Sequence, residues 1–445
     1  MNENLTYTLH LENGKKIYYK PHLSTLIDEH GSDLYKKNPI GIEKINDTYV
    51  YSVKDYYHSH EIDPIHPLFN PGKKTREVGR LKIQLGLKCN YKCEYCSQSS
   101  FVSEAVKSNN EDLENFIDKL DTWFPDETCH SVEFWGGEPL LYWNQIKILT
   151  PLLVEKWGEL DFTIVTNGSL LTQEKVDFFE KYKFSIAMSH DGPGYHLRGP
   201  DPLDNPKKYA LVKQLIQKSK EEKLGFSFSI VWTKENSDYE KTVEWFKNRM
   251  EDPNVPLNAE GVVEAYDIKT ALNEKTGMFN YDYLQKFEDG VYEGCTEGSK
   301  PLLKIISSVD KINEFFATLL YKKTWKTVGQ KCGMDRDDEL AVDLKGNVLT
   351  CQNVGLERDH LVGHLDNLEE ARIKSSQHWT WRSECSHCPV IQLCQGSCMF
   401  LKGQEFAQTC WNEYAYNMGH FKAAIKMLTG QKVMKIEGKQ NRPAL

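Results

Sequence analysis

The sequence lacks any apolar run that approaches the roughly 20 residues needed to cross a bilayer. Its first residues, MNENLTYTLHLENGKK, are polar and lack the apolar stretch of a signal peptide. A basic excess is also missing, because the net charge is −9, and this argues against a nucleic-acid partner. We therefore expect a cytoplasmic protein with no membrane and no nucleic-acid partner. The C-terminal segment KAAIKMLTGQKVMKIEGKQNRPAL is locally basic, which is typical of a solvated tail.

Cysteine, by contrast, is abundant. The chain has 445 residues, 40% of them hydrophobic and 27% charged, as in an ordinary globular protein of two or three domains. It contains twelve cysteines, a number that in a reducing compartment indicates metal or redox chemistry rather than disulfides. Three of them fall within residues 89–96 and seven between residues 332 and 410, whereas Cys129 and Cys295 stand apart.

The sequence pattern changes along the chain in a way that predicts four regions. Residues 1–78 contain alternating stretches, including IEKINDTYVYSV, and indicate a small β-rich unit. Residues 79–264 alternate between strand and helix patterns, and residues 265–331 are mostly helical. Residues 332–445 combine short elements with most of the cysteines, so we expect this region to need metal in order to fold.

The second region predicts a parallel α/β sheet. Its candidate strands are residues 81–87, 131–136, 162–168, 184–190, 226–232 and 258–264. Strands that alternate with helices form right-handed βαβ units, and six such units make a full or partial α/β barrel. In barrels of this kind the chemistry lies at the carboxyl ends of the strands.

An unusual loop, CNYKCEYC, follows the first of these strands. Its three thiolates are enough to bind three irons of a [4Fe–4S] cluster, which leaves the fourth iron with an open position. The alternative is a zinc site with one further ligand supplied from elsewhere in the chain. Spacing alone does not decide between them.

The loop resembles the CxxxCxφC motif of the radical SAM superfamily, with Cys89, Cys93 and Cys96 as the three ligands and Tyr95 as the aromatic residue. The resemblance implies that the open iron binds S-adenosyl-L-methionine. It also implies that electron transfer cleaves this cofactor and produces a 5′-deoxyadenosyl radical, with Tyr95 lying against the adenine.

Residues at the other strand ends extend the resemblance. Gly136, Gly137 and Glu138 are similar to the family's GGE motif, whose backbone meets the amine of the cofactor, and glycine permits such a close approach. The resemblance further implies contacts to the cofactor's ribose and methionyl carboxylate from Asn167, Ser189, Asp191 and Arg198. The loop that carries Arg198 is shorter than the family pattern.

The cysteines of the last region resemble the SPASM extension of radical SAM enzymes. A zinc ribbon is the other interpretation, but seven cysteines do not divide into sites of four ligands. The SPASM resemblance implies two auxiliary [4Fe–4S] clusters. The first would be bound by Cys332, Cys351 and Cys398, and the second by Cys385, Cys388, Cys394 and Cys410.

This assignment leaves the first auxiliary cluster one ligand short. Three candidates for the missing ligand are Cys295, a substrate thiolate and water. If Cys295 is not a ligand, it could act as an acid or as a radical quencher. In relatives that make formylglycine, an aspartate that acts as a base follows the cysteine that corresponds to Cys351. This chain has Gln352 at that position, and its amide does not take up a proton at neutral pH.

Together these features predict a partial (β/α)6 TIM-like radical SAM barrel between a small N-terminal β-rich unit and a cysteine-rich SPASM domain. The resemblance implies three [4Fe–4S] clusters and an electron donor such as flavodoxin or ferredoxin. The predicted reaction forms a thioether or a carbon–carbon crosslink, or carries out an oxidation, in a precursor peptide or protein. The alternative substrate is a small molecule or sugar. Residues 1–78 either bind a leader peptide along a sheet edge or serve as a structural cap.

Overall fold

The computed structural model describes residues 5–37, 72–98, 108–125, 128–264, 273, 281–357, 359–372 and 378–443. The predicted alternating stretch IEKINDTYVYSV, residues 42–53, lies outside this set. Within the described part of the chain, no helix is both long enough and apolar enough to span a bilayer.

Strands and helices alternate between residues 80 and 262, whereas the region predicted to have short elements contains a helix of 27 residues, Gly403–Thr429. The strands are β1 (Tyr7–Leu11), β2 (Lys16–Lys20), β3 (Thr25–Ile27), β4 (Arg80–Gln84), β5 (Ser131–Trp135), β6 (Asp161–Thr166), β7 (Ser185–Ser189), β8 (Gly225–Trp232), β9 (Leu257–Val262), β10 (Glu339–Asp343), β11 (Asn347–Leu349), β12 (Leu361–His364) and β13 (Val433–Glu437). The helices are α1 (Leu34–Lys37), α2 (Asn110–Asp118), α3 (Leu120–Trp123), α4 (Trp143–Trp157), α5 (Gln173–Lys181), α6 (Pro206–Lys220), α7 (Tyr239–Met250), α8 (Tyr281–Thr296), α9 (Ile306–Tyr321), α10 (Ile391–Cys394) and α11 (Gly403–Thr429).

The larger sheet confirms the predicted α/β architecture. Its strand order is β12-β11-β10-β4-β5-β6-β7-β8-β9, and β4 to β9 are parallel to their neighbours. Each of these six strands begins within one residue of its predicted start. In the described residues β9 and β12 are the two edges of the sheet, so it forms a partial barrel.

The core of this sheet is built from apolar side chains that alternate along its strands. Phe134, Phe162 and Phe184 stack in nearly parallel planes, with ring centroids 6.1 Å and 5.0 Å apart in sequence order. Rings from neighbouring parallel strands meet in this way because successive strands lie about 4.8 Å apart. Phe184 also contacts Phe178 and Phe179 of α5, so the stack belongs to the contact between the sheet and this helix.

The smaller sheet joins the two ends of the chain. Its order is β13-β1-β2-β3, with Leu9 opposite Ile436 in an antiparallel pair. The interpretation of the basic C-terminal segment as a solvated tail is therefore wrong, because it forms the end of α11 and all of β13. Phe421, Ile425 and Leu428 are buried at helical spacing, and burial of that stripe holds the segment on the protein.

The N-terminal sheet braces the cysteine-rich region. The ring of Tyr19 is fully buried, with its centroid 5.2 Å from that of Phe421 and 5.9 Å from that of Phe315. Its hydroxyl donates to Gln392 Oε1 at 2.6 Å, and Gln392 Nε2 donates to the carbonyl of Pro21 at 3.1 Å. Gln392 belongs to α10, whose last residue is Cys394, so this sheet supports a segment that carries proposed cluster ligands.

Candidate functional site

A cavity of about 580 Å³ opens at the carboxyl edge of the larger sheet. The loop between β4 and α2 provides one wall, through Cys89, Cys93 and Cys96. The carboxyl ends of the following strands provide others, through Trp135, Gly136, Gly137, Glu138, Thr166, Asn167, Ser189, Val231, Val262, Val263 and Glu264. The strand-end rule that the sequence suggested thus places these residues around one cavity.

The three thiols of the loop lie close enough to act on one another. The pKa of Cys93 is raised to about 12, chiefly by burial, with smaller upward contributions from the charges of Cys96 and Cys89 and an opposing one from Arg198. The backbone N–H of Tyr91 donates to Cys89 Sγ at 3.4 Å. No group of three or more His, Cys, Asp or Glu among the described residues has the close convergence that a single metal ion needs. Three grouped thiol donors on one cavity wall suit a cluster in which each sulfur binds a different iron.

Two glycines after β5 allow its end to press against the cysteine loop. Gly136 has φ +120° and Gly137 has φ +25°. A Cβ on Gly136 would lie 1.9 Å from the Gly86 oxygen, and one on Gly137 would lie 2.2 Å from the Lys88 oxygen. Only glycine therefore allows this strand end to lie against the backbone that leads into the cysteine loop, and both glycines border the cavity.

Glu138 ties the ends of β5 and β6 together. Its carboxylate is buried and accepts hydrogen bonds from Thr166 Oγ1 at 2.6 Å, from the Leu140 N–H at 3.0 Å and from the Asn167 N–H at 2.8 Å. Burial raises the pKa of Glu138, and these three hydrogen bonds lower it. With these contacts satisfied, the carboxylate positions the backbone around it.

Asn167 and Ser189 also border the cavity. Asn167 Nδ2 donates to Asn90 Oδ1 at 3.0 Å, and its Oδ1 accepts from Ser169 Oγ at 2.6 Å. Asn167 therefore links the end of β6 to the segment between the first two loop cysteines.

Asp191 occupies a different place from the other predicted cofactor contacts. It is fully buried behind the cavity wall, where it accepts hydrogen bonds from the Tyr95 hydroxyl, from Arg198 Nε at 2.9 Å and from the Val231 N–H at 3.0 Å. The Arg198 guanidinium lies 5.4 Å from the centroid of the Tyr95 ring. Tyr95 and Arg198 border the cavity themselves, so Asp191 holds them in place from behind.

The far wall of the cavity contains charged residues that the sequence did not single out. They are Glu260, Glu264 and Lys331. Ser397 Oγ donates to Glu264 Oε1 at 3.1 Å, and Lys331 Nζ lies 3.4 Å from Glu413 Oε1. The pKa of Lys331 is raised by the charges of Glu413 and Glu264, which outweigh its burial. Glu260 and Glu264 follow the same strand-end rule, whereas Lys331 reaches the cavity only through tertiary structure.

The predicted ligands of the first auxiliary cluster also lie together. The pKa of Cys351 is raised to about 12, chiefly by burial, and the charges of Cys398 and Cys332 contribute to this rise. Cys332 additionally borders a second cavity, of about 340 Å³. The three cysteines come from the turn before β10, the end of β11 and the segment before α11, so only the fold gathers them.

The four predicted ligands of the second auxiliary cluster form a separate group. Burial raises the pKa of each thiol, and the charges of neighbouring members raise it further: Cys388 and Cys410 act on Cys385, Cys394 acts on Cys388, Cys385 acts on Cys394, and Cys388 acts on Cys410. The pKa of Cys388 and that of Cys410 both reach about 12.

Cys295 belongs to none of these groups. It is fully buried on α8, where its charge acts on Tyr239 and Tyr416, and burial alone raises its own pKa. It borders neither the main cavity nor the cavity at Cys332. The structure therefore does not support Cys295 as the missing ligand of the first auxiliary cluster or as an acid at the cavity.

Gln352 does not border the main cavity either. Its backbone oxygen accepts from Gln84 Nε2 at 2.8 Å, whereas its neighbour Asn353 borders the cavity. The position that carries a base in formylglycine-forming relatives thus provides neither an acidic side chain nor a cavity contact here.

Comparison with known proteins agrees with this geometry. Residues 83–246 match the sequence model of the Radical SAM superfamily. The range begins in β4 and ends in α7, so it includes the cysteine loop, the carboxyl ends of β5 to β8, and Arg198.

Two curated relatives extend over most of the chain. The radical SAM cyclopropyl synthase TigE of Paramaledivibacter caminithermalis is 24% identical over 73% of this chain and 68% of its own length. A cysteine-type anaerobic sulfatase-maturating enzyme of Clostridium perfringens is 25% identical over 70% of this chain and 85% of its own length. The solved structure of native anSMEcpe with bound AdoMet is 22% identical, with a TM-score of 0.52 over 79% of this chain and 98% of that one. This last likeness shows a shared fold.

Proposed function

We propose, from the premise that residues 83–246 form a radical SAM domain, that this enzyme modifies a peptide or protein by radical chemistry. The observation that carries the proposal is the separation of ten cysteines into three groups, with the first on the wall of the main cavity. Three thiols suit a cluster with one open iron, and the two further groups suit auxiliary clusters.

Each wall of the cavity has a distinct task in this proposal. Cys89, Cys93 and Cys96 hold the catalytic cluster, and S-adenosyl-L-methionine supplies the 5′-deoxyadenosyl radical when it is bound. The backbone at Gly136 and Gly137 receives the cofactor's amine. Tyr95 lies against the adenine.

Polar side chains complete the cofactor site. Asn167, Ser189 and Arg198 bind the ribose and carboxylate, while Asp191 acts through Tyr95 and Arg198 and keeps both oriented. The buried Asp191 carboxylate holds both side chains firmly, because hydrogen bonds to a charged group are stronger than those between neutral groups.

The first auxiliary group adjoins the charged wall of the main cavity. Lys331 borders both cavities and directly precedes Cys332, so the wall that faces the substrate is continuous with the first auxiliary group. We assign to the two auxiliary clusters the acceptance of an electron from the substrate. With three cysteines, the first cluster keeps a position for a substrate thiolate or water.

The relatives favour a peptide over a small molecule. One is named for the maturation of sulfatases, and the solved structures of similar fold include native anSMEcpe with bound AdoMet and the Cp18Cys peptide. The cyclopropyl synthase favours carbon–carbon bond formation among the three candidate outcomes. Formylglycine formation is disfavoured by Gln352, and a small molecule or sugar remains the alternative substrate.

Anaerobic reconstitution with iron and sulfide, followed by S-adenosyl-L-methionine and dithionite, tests the catalytic part. We expect 5′-deoxyadenosine from the wild type and none from Cys93→Ala. Cys129→Ala is the matched control, because Cys129 is a buried thiol outside the three groups. Wild-type enzyme that binds iron but yields no 5′-deoxyadenosine would contradict the proposal.

The substrate class needs its own experiment. Short peptides encoded beside the gene, sulfatase-derived cysteine peptides, and a panel of sugars and nucleosides are each added to the reconstituted enzyme. We expect a neighbouring peptide to stimulate 5′-deoxyadenosine formation and to change mass. A response to a sugar or nucleoside alone would favour the alternative substrate, and formylglycine on the sulfatase peptide would overturn the inference from Gln352.

A further inference from the structure

The last described residues of the chain form a strap, residues 439–443, across the second auxiliary group. Its hydrogen bonds are Tyr7 Oη to the Lys439 oxygen (3.1 Å), Tyr414 Oη to Gln440 Oε1 (3.1 Å), Asn441 Nδ2 to the Ser383 oxygen (3.4 Å) and Trp411 Nε1 to the Pro443 oxygen (2.9 Å). These partners belong to β1, to α11 just after Cys410, and to the residues just before Cys385. The strap therefore lies next to two of the four proposed ligands of the second auxiliary cluster, Cys385 and Cys410.

Arg442 connects this group of cysteines to the surface. Its guanidinium lies 3.2 Å from the centroid of the Tyr414 ring and 4.7 Å from that of Trp411. Trp411 directly follows Cys410, so Arg442 lies beside a proposed ligand of the second auxiliary cluster. Arg442 and Trp411 also line a surface cleft of about 250 Å³.

This cleft, which we call the basic cleft, lies between α8, α11, β13 and the strap. Its apolar lining includes Leu284, Met418 and Met434, and the Met434 side chain is 63% exposed. Its charged lining consists of three basic residues, Lys422, Lys435 and Arg442, and one acidic residue, Glu288. An apolar centre with a charged rim is the usual composition of a protein docking surface.

The charge of this face contrasts with that of the whole protein. Six basic residues and one acidic residue occur between residues 422 and 442, in a chain whose net charge is −9. Lys422, Lys426 and Lys435 pair with Glu288, Glu12 and Glu437 respectively, and a positive excess remains. A partner that recognises this face by charge must be acidic.

We propose that the basic cleft docks an acidic one-electron carrier protein that exchanges electrons with the second auxiliary cluster. The inference rests on the proposed function, since it needs that cluster. A redox encounter surface is small and relies on charge for its association rate, which fits a shallow cleft with a cationic rim. In the direction that is simplest to measure, a flavin hydroquinone loses one electron to become the semiquinone, and one cluster gains that electron.

Stopped-flow absorbance tests the proposal on the reconstituted full-length enzyme, with reduced flavodoxin as the acidic carrier. We compare Lys435→Glu and Met434→Asp with Lys241→Glu, whose lysine is also exposed and paired with a nearby acidic residue, Asp238, but lies outside the cleft. We expect Lys435→Glu and Met434→Asp to slow cluster reduction by on the order of tenfold and Lys435→Glu to weaken its dependence on salt. Dithionite should reduce all four proteins equally, which shows that the clusters are intact.

Equal rates and equal salt dependence in Lys435→Glu and Lys241→Glu would overturn the proposal. It would also be overturned if dithionite reduces the wild type but flavodoxin does not. A third contrary result is that Lys435→Glu weakens the binding of an acidic peptide while the rate with flavodoxin is unchanged, since the cleft would then be a peptide site. Absence of cluster absorbance from the wild type would instead contradict the proposed function itself.

Discussion

Cysteines are brought together in two different ways, one in the loop that carries the catalytic cysteines and another in the region that carries the auxiliary cysteines. Cys89, Cys93 and Cys96 lie within eight residues, and the backbone of one strand end, at Gly136 and Gly137, presses directly against their loop. The auxiliary cysteines extend from residue 332 to residue 410 and are gathered by helices, short strands and a sheet built from both chain ends. The first arrangement depends on local backbone fit, and the second depends on distant packing. We therefore expect that a substitution in one region removes the cluster of that region and leaves the clusters of the other region in place.

The largest effect is expected from Gly137→Ala, which attacks the local fit. The added Cβ would lie 2.2 Å from the Lys88 oxygen, so the cysteine loop must move. We expect 5′-deoxyadenosine formation to be lost and iron content to fall from about twelve to about eight atoms per chain, because only the catalytic cluster disappears. Chemical iron analysis and chromatography of the products measure both. Gly290→Ala is the control, since its Cβ would meet only an ordinary contact at 3.7 Å.

Tyr19→Ala attacks the distant packing. It removes a fully buried ring and the hydroxyl that holds Gln392, at an expected cost of about 3–5 kcal/mol in the free energy of unfolding. Urea titration measures this cost. We expect the iron of the second auxiliary cluster to be lost while 5′-deoxyadenosine is still formed.

Tyr18→Ala changes the neighbouring residue of β2, whose side chain points to the other face and is only half-buried. It should have little effect on iron content. If Tyr19→Ala removed the catalytic cluster first, the two regions would not be independent.

Acid should destabilise the auxiliary region through His378, with a smaller change in the free energy of unfolding than that expected for Tyr19→Ala. Burial lowers the pKa of His378 to about 4 from an ordinary value of 6.5, and the hydrogen bond between its ring and the carbonyl of Val328 opposes this shift. The neutral imidazole therefore stabilises the fold above pH 6.5, and this contribution is lost as the pH falls from about 6.5 to 4. Its full size is about 3 kcal/mol.

Urea unfolding at a series of pH values measures this effect. His378→Gln should flatten the dependence in that interval, whereas His387→Gln, at a more exposed histidine nearby, should leave it unchanged. An equally steep dependence in His378→Gln would contradict the assignment.

Asp191→Asn gives the smallest expected effect and refines the description of the cavity. It keeps the shape of the side chain but weakens the charged hydrogen bonds to Tyr95 and Arg198. We expect the dissociation constant of S-adenosyl-L-methionine to rise about tenfold, or about 1.4 kcal/mol, with the clusters unchanged. Equilibrium dialysis measures it. Asp204→Asn, at an exposed carboxylate on the surface, should bind as the wild type does.

Much of the fold was predictable because its signals are periodic and local. The six parallel strands start within one residue of their predicted positions, and the residues after them do line one cavity. The C-terminal strand β13 was missed, because its exposed Met434 and Lys435 give it no buried alternation. Only its pairing with β1 makes it a strand.

Within the site, Asp191 and Lys331 mark the limit of sequence-based prediction. The pattern around Asp191 indicated a cofactor contact, but the fold places it behind Tyr95 and Arg198. Lys331 carried no signal, because its role arises from Glu413 and Glu264, residues distant along the chain. Cys295 was equally ambiguous in the sequence, and its burial on α8 separates it from the clusters.

The sequence by itself determined the ligand types, their spacing within CNYKCEYC and the order of strands, because each depends on neighbours along the chain. The tertiary structure decided which of the distant cysteines share a group, which acidic residues face the cavity, and that both chain ends form one sheet over the second auxiliary group. These outcomes depend on which surfaces meet when the apolar side chains are buried, and separation along the chain does not specify that.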